Sequence, residues 1–323
     1  MRHFVAAAGK TLFVALLALT LGTSVFGQLS LRKAMDTDAD GKADYMVFRP
    51  SNNVWYIAKS GGGVTFQTFG VANEDFMTPG DYDGDGKGDI SIWRDTTGVW
   101  WRINSSTNTI VAGQFGTSGD EPAARDYDGD GKTDPAVVRR SNGALIWYVL
   151  RSTDNGFFSV QWGIATDYIA PGDYDGDGKF DFAVQRPGGS PTAQGIFYIY
   201  RTSDAGFSVI AWGLSNDLVA PGDYDGDGKT DIAVVREGTT PNANLVWYAR
   251  RSSDGGLYAT SFGLTGDDLN AQNDYDGDGK TDVAVWRNSN GTFYIQRTTD
   301  PANIAVVQWG QANDFPIGAY DSH

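Results

Sequence analysis

Asp223-Tyr224-Asp225-Gly226-Asp227-Gly228-Lys229-Thr230-Asp231 sets four carboxylates within nine residues, at positions 1, 3, 5 and 9, around two glycines. The same phrase, DYDGDGKxD, starts at Asp81, Asp126, Asp173 and Asp274, and a variant, DTDADGKAD, starts at Asp36. The six starts lie 45 to 51 residues apart. A phrase recurring at that period marks an array of like structural units, so the flanking sequence is read in the same register.

After each acidic phrase comes an apolar run ending in arginine, such as DIAVVR at Asp231–Arg236 or DVAVWR at Asp282–Arg287; the six runs close at Arg49, Arg94, Arg139, Arg186, Arg236 and Arg287. A variable Gly/Pro/Asn segment follows, then an aromatic run such as VWYIAK at Val54–Lys59 or VWYARR at Val246–Arg251. Turns such as Asp154-Asn155-Gly156 suit tight hairpins. Each unit ends on Phe69-Gly70, Phe115-Gly116, Trp162-Gly163, Trp212-Gly213, Phe262-Gly263 or Trp309-Gly310. Runs of four to six residues rich in Val, Ile, Tyr and Trp, bounded by turn formers, predict strands, and no helical periodicity competes. Three such strands and a short one before each acidic phrase make a four-stranded antiparallel unit at the period of a propeller blade. Strands apolar at consecutive positions fit blades covered on both faces, whereas an open sandwich would alternate. The expected fold is an all-β β-propeller with the acidic loop between the first and second strand of each blade. Six repeats starting near 36, 81, 126, 173, 223 and 274 give six blades, with seven as the alternative. Gln28–Met35 and Asp314–Asp321 each offer the same inner strand, as ring closure requires.

Hard oxygen ligands around a tight glycine turn, with a backbone carbonyl at position 7, suit calcium better than magnesium, which takes fewer carboxylates. The expected cofactor is Ca2+, up to six ions. The ligands are Asp36, Asp38, Asp40 and Asp44; Asp81, Asp83, Asp85 and Asp89; Asp126, Asp128, Asp130 and Asp134; Asp173, Asp175, Asp177 and Asp181; Asp223, Asp225, Asp227 and Asp231; and Asp274, Asp276, Asp278 and Asp282. The loops are not EF-hands, because Val234 stands where the bidentate Glu would be and the flanks are strands. Ala39 replaces a turn glycine, which predicts a weaker first loop.

Of the 323 residues 40 are Asp or Glu and 25 are Lys or Arg, a formal net charge of −15 that disfavours a phosphate backbone as partner. The absence of Cys removes disulfides, thiolate zinc and thiol catalysis. His3 and His323 stand at the two ends, which leaves no interior imidazole as general base. Residues 1–27 read as a signal peptide: Arg2 and Lys10, a short apolar run from Thr11 to Leu21, and Val25-Phe26-Gly27 before the cut. Residues 28–323 then form a single propeller, secreted or at the cell surface, with no membrane span after cleavage.

The Phe/Trp-Gly ends, Ala170-Pro171-Gly172, Ala220-Pro221-Gly222, and the loops beginning at Asp173 and Asp223 resemble the FG-GAP/VCBS repeat of integrin α-chain-type β-propellers and of many secreted bacterial proteins. The resemblance spans Asp36 to Asp321 and implies calcium-binding blades, usually seven. Members act in adhesion, as lectins, or as accessory domains of surface proteins and of some polysaccharide-active enzymes. The expectation is a monomeric, non-catalytic binding or adhesion protein for an extracellular glycan or protein ligand. The alternatives are a lyase-type polysaccharide-active enzyme, with Pro187–Gly195 and Glu237–Asn244 as the longer insertions, and a purely structural accessory module. Meander topology puts the acidic loops and the Asp-Gly hairpins on one face. The strand-ending arginines gather on the other with Asp120, Asp167, Asp217, Asp267 and Asp314. There they either pair to stitch adjacent blades or leave Arg139, Arg186, Arg236 and Arg287 to hold an anionic ligand.

Overall fold

Second strands whose residues are covered on both sides, and outer strands exposed at every other residue, require sheets that stand face to face around an axis. The computed structural model, which describes residues 34–318, has that arrangement. In chain order the strands are β1 (Tyr45–Arg49), β2 (Val54–Ala58) and β3 (Val64–Thr68); β4 (Asp75–Met77), β5 (Ile90–Arg94), β6 (Val99–Asn104) and β7 (Thr109–Gln114); and β8 (Glu121–Pro122), β9 (Ala136–Ser141), β10 (Ala144–Leu150) and β11 (Phe157–Ile164). The second half repeats the pattern with β12 (Tyr168–Ile169), β13 (Phe182–Arg186), β14 (Gln194–Tyr200) and β15 (Phe207–Leu214); β16 (Leu218–Val219), β17 (Ile232–Arg236), β18 (Asn244–Arg250) and β19 (Leu257–Leu264); and β20 (Asp268–Asn270), β21 (Val283–Arg287), β22 (Thr292–Gln296) and β23 (Ala305–Gln308). The last strand, β24 (Phe315–Pro316), pairs antiparallel with β1, so the described residues form six four-stranded blades.

Six blades agree with the six repeats. Closure comes from the C-terminal side: Pro316 lies opposite Val47 and Phe315 opposite Phe48, while Ile317 N donates to Met46 O at 2.9 Å. Residues 28–33, expected to share that inner strand, and the expected signal peptide at 1–27 lie outside the described residues. Among the described residues no helix is long and apolar enough to cross a membrane.

Burial falls outward through each blade. β17 and β21 are buried at four consecutive residues, β18 alternates buried with half-buried, and β19 alternates half-buried with exposed. Most aromatic mass is interior, as the sequence predicts: Trp55, Trp93, Trp147, Trp247 and Trp286 are fully buried. Their indole N–H groups explain the terminal Phe/Trp-Gly step. Trp247 Nε1 donates to Phe262 O at 2.9 Å and Trp286 Nε1 to Trp309 O at 3.1 Å, so a buried donor is satisfied at the point where the outer strand ends. The following glycine turns with φ between +70° and +116° at Gly70, Gly116, Gly163, Gly213, Gly263 and Gly310, a conformation costly for a residue with a Cβ. Where the step is Trp-Gly, its indole reaches the next blade: Trp162 donates to Tyr198 O, Trp212 to Tyr248 O, and Trp309 to Tyr56 O across the closure.

Candidate metal centres and the opposite face

In the loop from Asp223 the first carboxylate is folded inward and caps its own turn. Asp223 Oδ1 accepts from Gly226 N at 2.6 Å and Oδ2 from Gly228 N at 2.9 Å. The ninth-position carboxylate closes the loop, Asp231 Oδ2 accepting from Tyr224 N at 2.9 Å. Five loops repeat this reciprocal pattern with Tyr at position 2, and its hydroxyl reaches back to a backbone carbonyl: Tyr224 Oη donates to Ala220 O at 2.8 Å. These bonds fold the first and ninth acids of a loop back onto its backbone.

A second segment completes each site, and sequence reading missed it. The residues just after the aromatic run, Ser105-Ser106, Ser152-Thr153, Thr202-Ser203, Ser252-Ser253 and Thr298-Thr299, come over the acidic loop as the hairpin to the outer strand begins. Ser252 N donates to Asp231 Oδ1 at 2.6 Å, Ser252 Oγ to Asp227 Oδ1 at 2.8 Å, and Ser253 Oγ to Asp225 Oδ2 at 2.6 Å. A hydroxyl pair recurring at one point of five of the six units was the available signal. In the first blade the pair is Ser60-Gly61; Ser60 Oγ holds Asp40, and Asp38 Oδ1 is buried without a partner.

The acidic loops and the hairpins therefore share a face, as the meander argument predicts. Carboxylate oxygens from positions 1, 3 and 5 lie within 4.8 Å of one another in the loops from Asp36 and Asp81, and those from positions 1, 3 and 9 do so in the loops from Asp126, Asp173 and Asp223. Burial, opposed by backbone donors and reinforced by neighbouring carboxylates, pushes Asp126, Asp173 and Asp223 up to about 6 and Asp134, Asp181, Asp231 and Asp282 up to about 7. Asp89 rises to about 6, and Asp36 and Asp44 move the same way. Buried acids that repel one another and offer only hard oxygen suit a divalent cation.

The six loops are joined in a ring. The position-8 N–H of each donates to the position-1 carbonyl of the loop before it: Gly88 to Asp36, Thr133 to Asp81, Phe180 to Asp126, Thr230 to Asp173, Thr281 to Asp223, and Ala43 to Asp274 across the closure, at 2.5 to 2.8 Å. Residues 126–184, which run from the acidic loop at Asp126 through the one at Asp173 into the second strand of the next blade, match the model of the FG-GAP-like repeat family.

The chain is a propeller that carries an FG-GAP-like repeat.

No curated protein matches this FG-GAP propeller by sequence. Among solved structures it is similar to a lectin from Agrocybe aegerita described by its specific recognition of non-reducing terminal N-acetylglucosamine, with 15% identity and a TM-score of 0.53 over 85% of this chain and 92% of the lectin. It is also similar to a triple arginine-to-alanine mutant of AofleA from Arthrobotrys oligospora, with 12% identity and a TM-score of 0.50 over 90% and 91% of the two chains. A putative 6-phosphogluconolactonase from Bacteroides fragilis aligns with 11% identity and a TM-score of 0.46 over 88% and 97%. At these identities the likeness is one of fold.

On the face away from the acidic loops, every strand-ending arginine of the FG-GAP propeller meets a buried aspartate. Arg236 Nε and Nη2 donate to Asp217 at 2.8 Å each, and Arg139 grips Asp120, Arg186 Asp167 and Arg49 Asp314 in the same two-pronged way. Arg287 takes Asp268 rather than Asp267, because the last linker is one residue longer; Asp267 accepts from Ser289 instead. Arg94 takes Asp75, which sequence reading did not single out. The pairs join the inner to the second strand of one blade rather than two blades. The aspartate also receives the chain arriving from the preceding blade, as Leu214 N does at Asp217 Oδ2. Opposite the carboxylate the guanidinium lies over a tyrosine: Arg139 over Tyr148, Arg186 over Tyr198, Arg236 over Tyr248 and Arg287 over Tyr294, at 4.3 to 4.8 Å from the ring centre.

Proposed function

We propose that this FG-GAP propeller is a secreted, calcium-stabilised, non-catalytic binding protein for extracellular glycans. Residues 28–323 form its single domain behind a signal peptide at 1–27. In this reading calcium fills the six acidic loops, held by the four aspartates of each. The ring of loop-to-loop hydrogen bonds supports a structural role for the ions, since neutralising one loop steadies its neighbours.

The observation that carries the glycan reading is a cleft of about 240 Å³ between the second and third blades, lined by Phe115, Thr117, Val137, Arg139, Tyr148 and Phe157. Phe157 is exposed, and Arg139 is fixed by Asp120 and stacked on Tyr148. An open aromatic face beside a fixed guanidinium offers stacking and hydrogen bonds to a sugar ring. Because the carboxylate already balances the charge, the cleft suits neutral sugars better than acidic ones. Arg186, Arg236 and Arg287 repeat the fixed guanidinium stacked on a tyrosine and are the further candidate ligand residues. A glycan and matrix-protein array, run with calcium and with chelator beside a polysaccharide cleavage screen, tests the proposal. Calcium-dependent capture of neutral glycans without cleavage is expected; cleavage, or capture of proteins alone, would overturn it.

A further inference from the structure

The axis of the propeller holds a cavity of about 700 Å³ that opens on the face away from the acidic loops, where Ser215, Asn216 and Glu237 form its rim. That volume lies in the range of small-molecule sites. Its wall is apolar and supplied blade by blade: Tyr168, Leu218, Leu269 and Phe315 each stand with 42 to 51% of their surface free. One blade breaks the pattern. Where the other inner strands have Met77, Pro122, Ile169, Val219 and Pro316, the sixth has Asn270; where the others have Pro79, Ala124, Pro171 and Pro221, it has Gln272. Both amides line the cavity, two residues apart.

Gln272 is only 7% exposed, and neither amide side chain has a hydrogen-bond partner among the described residues. Asn270 is half-buried, and amides in this cavity are answered only by what fills it, whereas the repeat itself offers apolar residues or proline at both positions. Charge narrows what can answer. The lining holds no lysine or arginine; its carboxylates Glu121, Asp217 and Asp268 are paired with Arg140, Arg236 and Arg287, which leaves Glu237 to disfavour an anion. Two side chains that each donate and accept complement a group that does the same.

We propose that the axial cavity is a binding site for an uncharged, largely apolar small molecule carrying an amide, whose C=O and N–H are held by Asn270 and Gln272. The site is separate from the blade-to-blade cleft and does not depend on the glycan reading.

Fluorine NMR on the purified full chain in calcium tests it with two probes, 4-fluoro-N-benzylacetamide and the matched anion 4-fluorophenylacetate. The amide should bind in the millimolar range usual for a fragment, and the anion at least tenfold more weakly. The variant Asn270→Val with Gln272→Pro gives the sixth blade the residues of the fifth, Val219 and Pro221, and should fold with an intact calcium-dependent melt. It should bind the amide at least tenfold more weakly. No amide binding by the folded wild type, equal binding of the anion, or undiminished binding by the double variant would each overturn the proposal. A more stable variant that still binds would reduce the two amides to water-holding groups.

Discussion

Removing the divalent ion should destabilise this propeller by an amount set by the number of loops and by pH. Extracellular calcium modules bind at roughly 0.1 to 1 mM. At ~1 mM free ion and a ~0.1 mM site, mass action contributes about 1.4 kcal/mol per loop. Six loops then contribute about 8 kcal/mol, comparable to the whole stability of an ordinary domain at ~5 to 15 kcal/mol. For a ring of this size a chelator should lower the melting temperature by about 15 °C, taking ~2 °C per kcal/mol. The carboxylate environment adds a sign. Asp134, Asp181, Asp231 and Asp282 are pushed up to about 7 in the folded protein, so without metal the folded state holds more protons than the unfolded chain between pH ~4 and ~7. Metal-free stability is therefore fully present below the unfolded value and falls as pH rises through 7. Calcium needs the same groups ionised, so its stabilisation grows across that window. Calorimetric melts at pH 5, 6, 7 and 8, in calcium and in chelator, should show a gap that is small at pH 5 and nearly complete at pH 8. No gap at any pH would remove the metal from the structure. A gap independent of pH would mean that the raised acids are not ligands.

Arg236→Ala leaves the Asp217 carboxylate buried with only the Leu214 N–H, and should cost about 3 kcal/mol while the calcium-dependent part of the melt persists; an unchanged melt would free that arginine for a ligand role alone. Ala39 sits at φ +61° where the other loops have glycine at +79° to +83°, so Ala39→Gly should relieve up to about 1 kcal/mol of strain and raise the melt by roughly 2 °C. No rise would show that the turn costs nothing as it stands. Trp309→Phe removes the indole bond to Tyr56 O across the ring closure and should cost about 1 kcal/mol, read by chemical denaturation. Trp212→Phe, which removes the same bond between interior blades, should cost a similar amount.

The repeat, the strand type, the number of blades and the six acidic loops are legible in the sequence. Each is a local property: the acidic loop turns on itself because Gly226 and Gly228 allow the turn and Asp223 captures their N–H groups. The shared face of loops and hairpins also followed, since strand count alone fixes which ends of a meander lie together. Tertiary structure decided the partners. That Arg287 chooses Asp268 over its neighbour depends on one extra linker residue, which shifts which carboxylate stands opposite the guanidinium. The serine and threonine pairs reach acids some 20 to 28 residues earlier only because the blade folds back on itself. Asn270 and Gln272 look like ordinary polar drift in a line of sequence. Their meaning arises when the inner strands meet at an axis, where the two amides line one cavity with Leu218, Tyr168 and Phe315 from other blades, and no local pattern encodes which residues distant segments bring to one point.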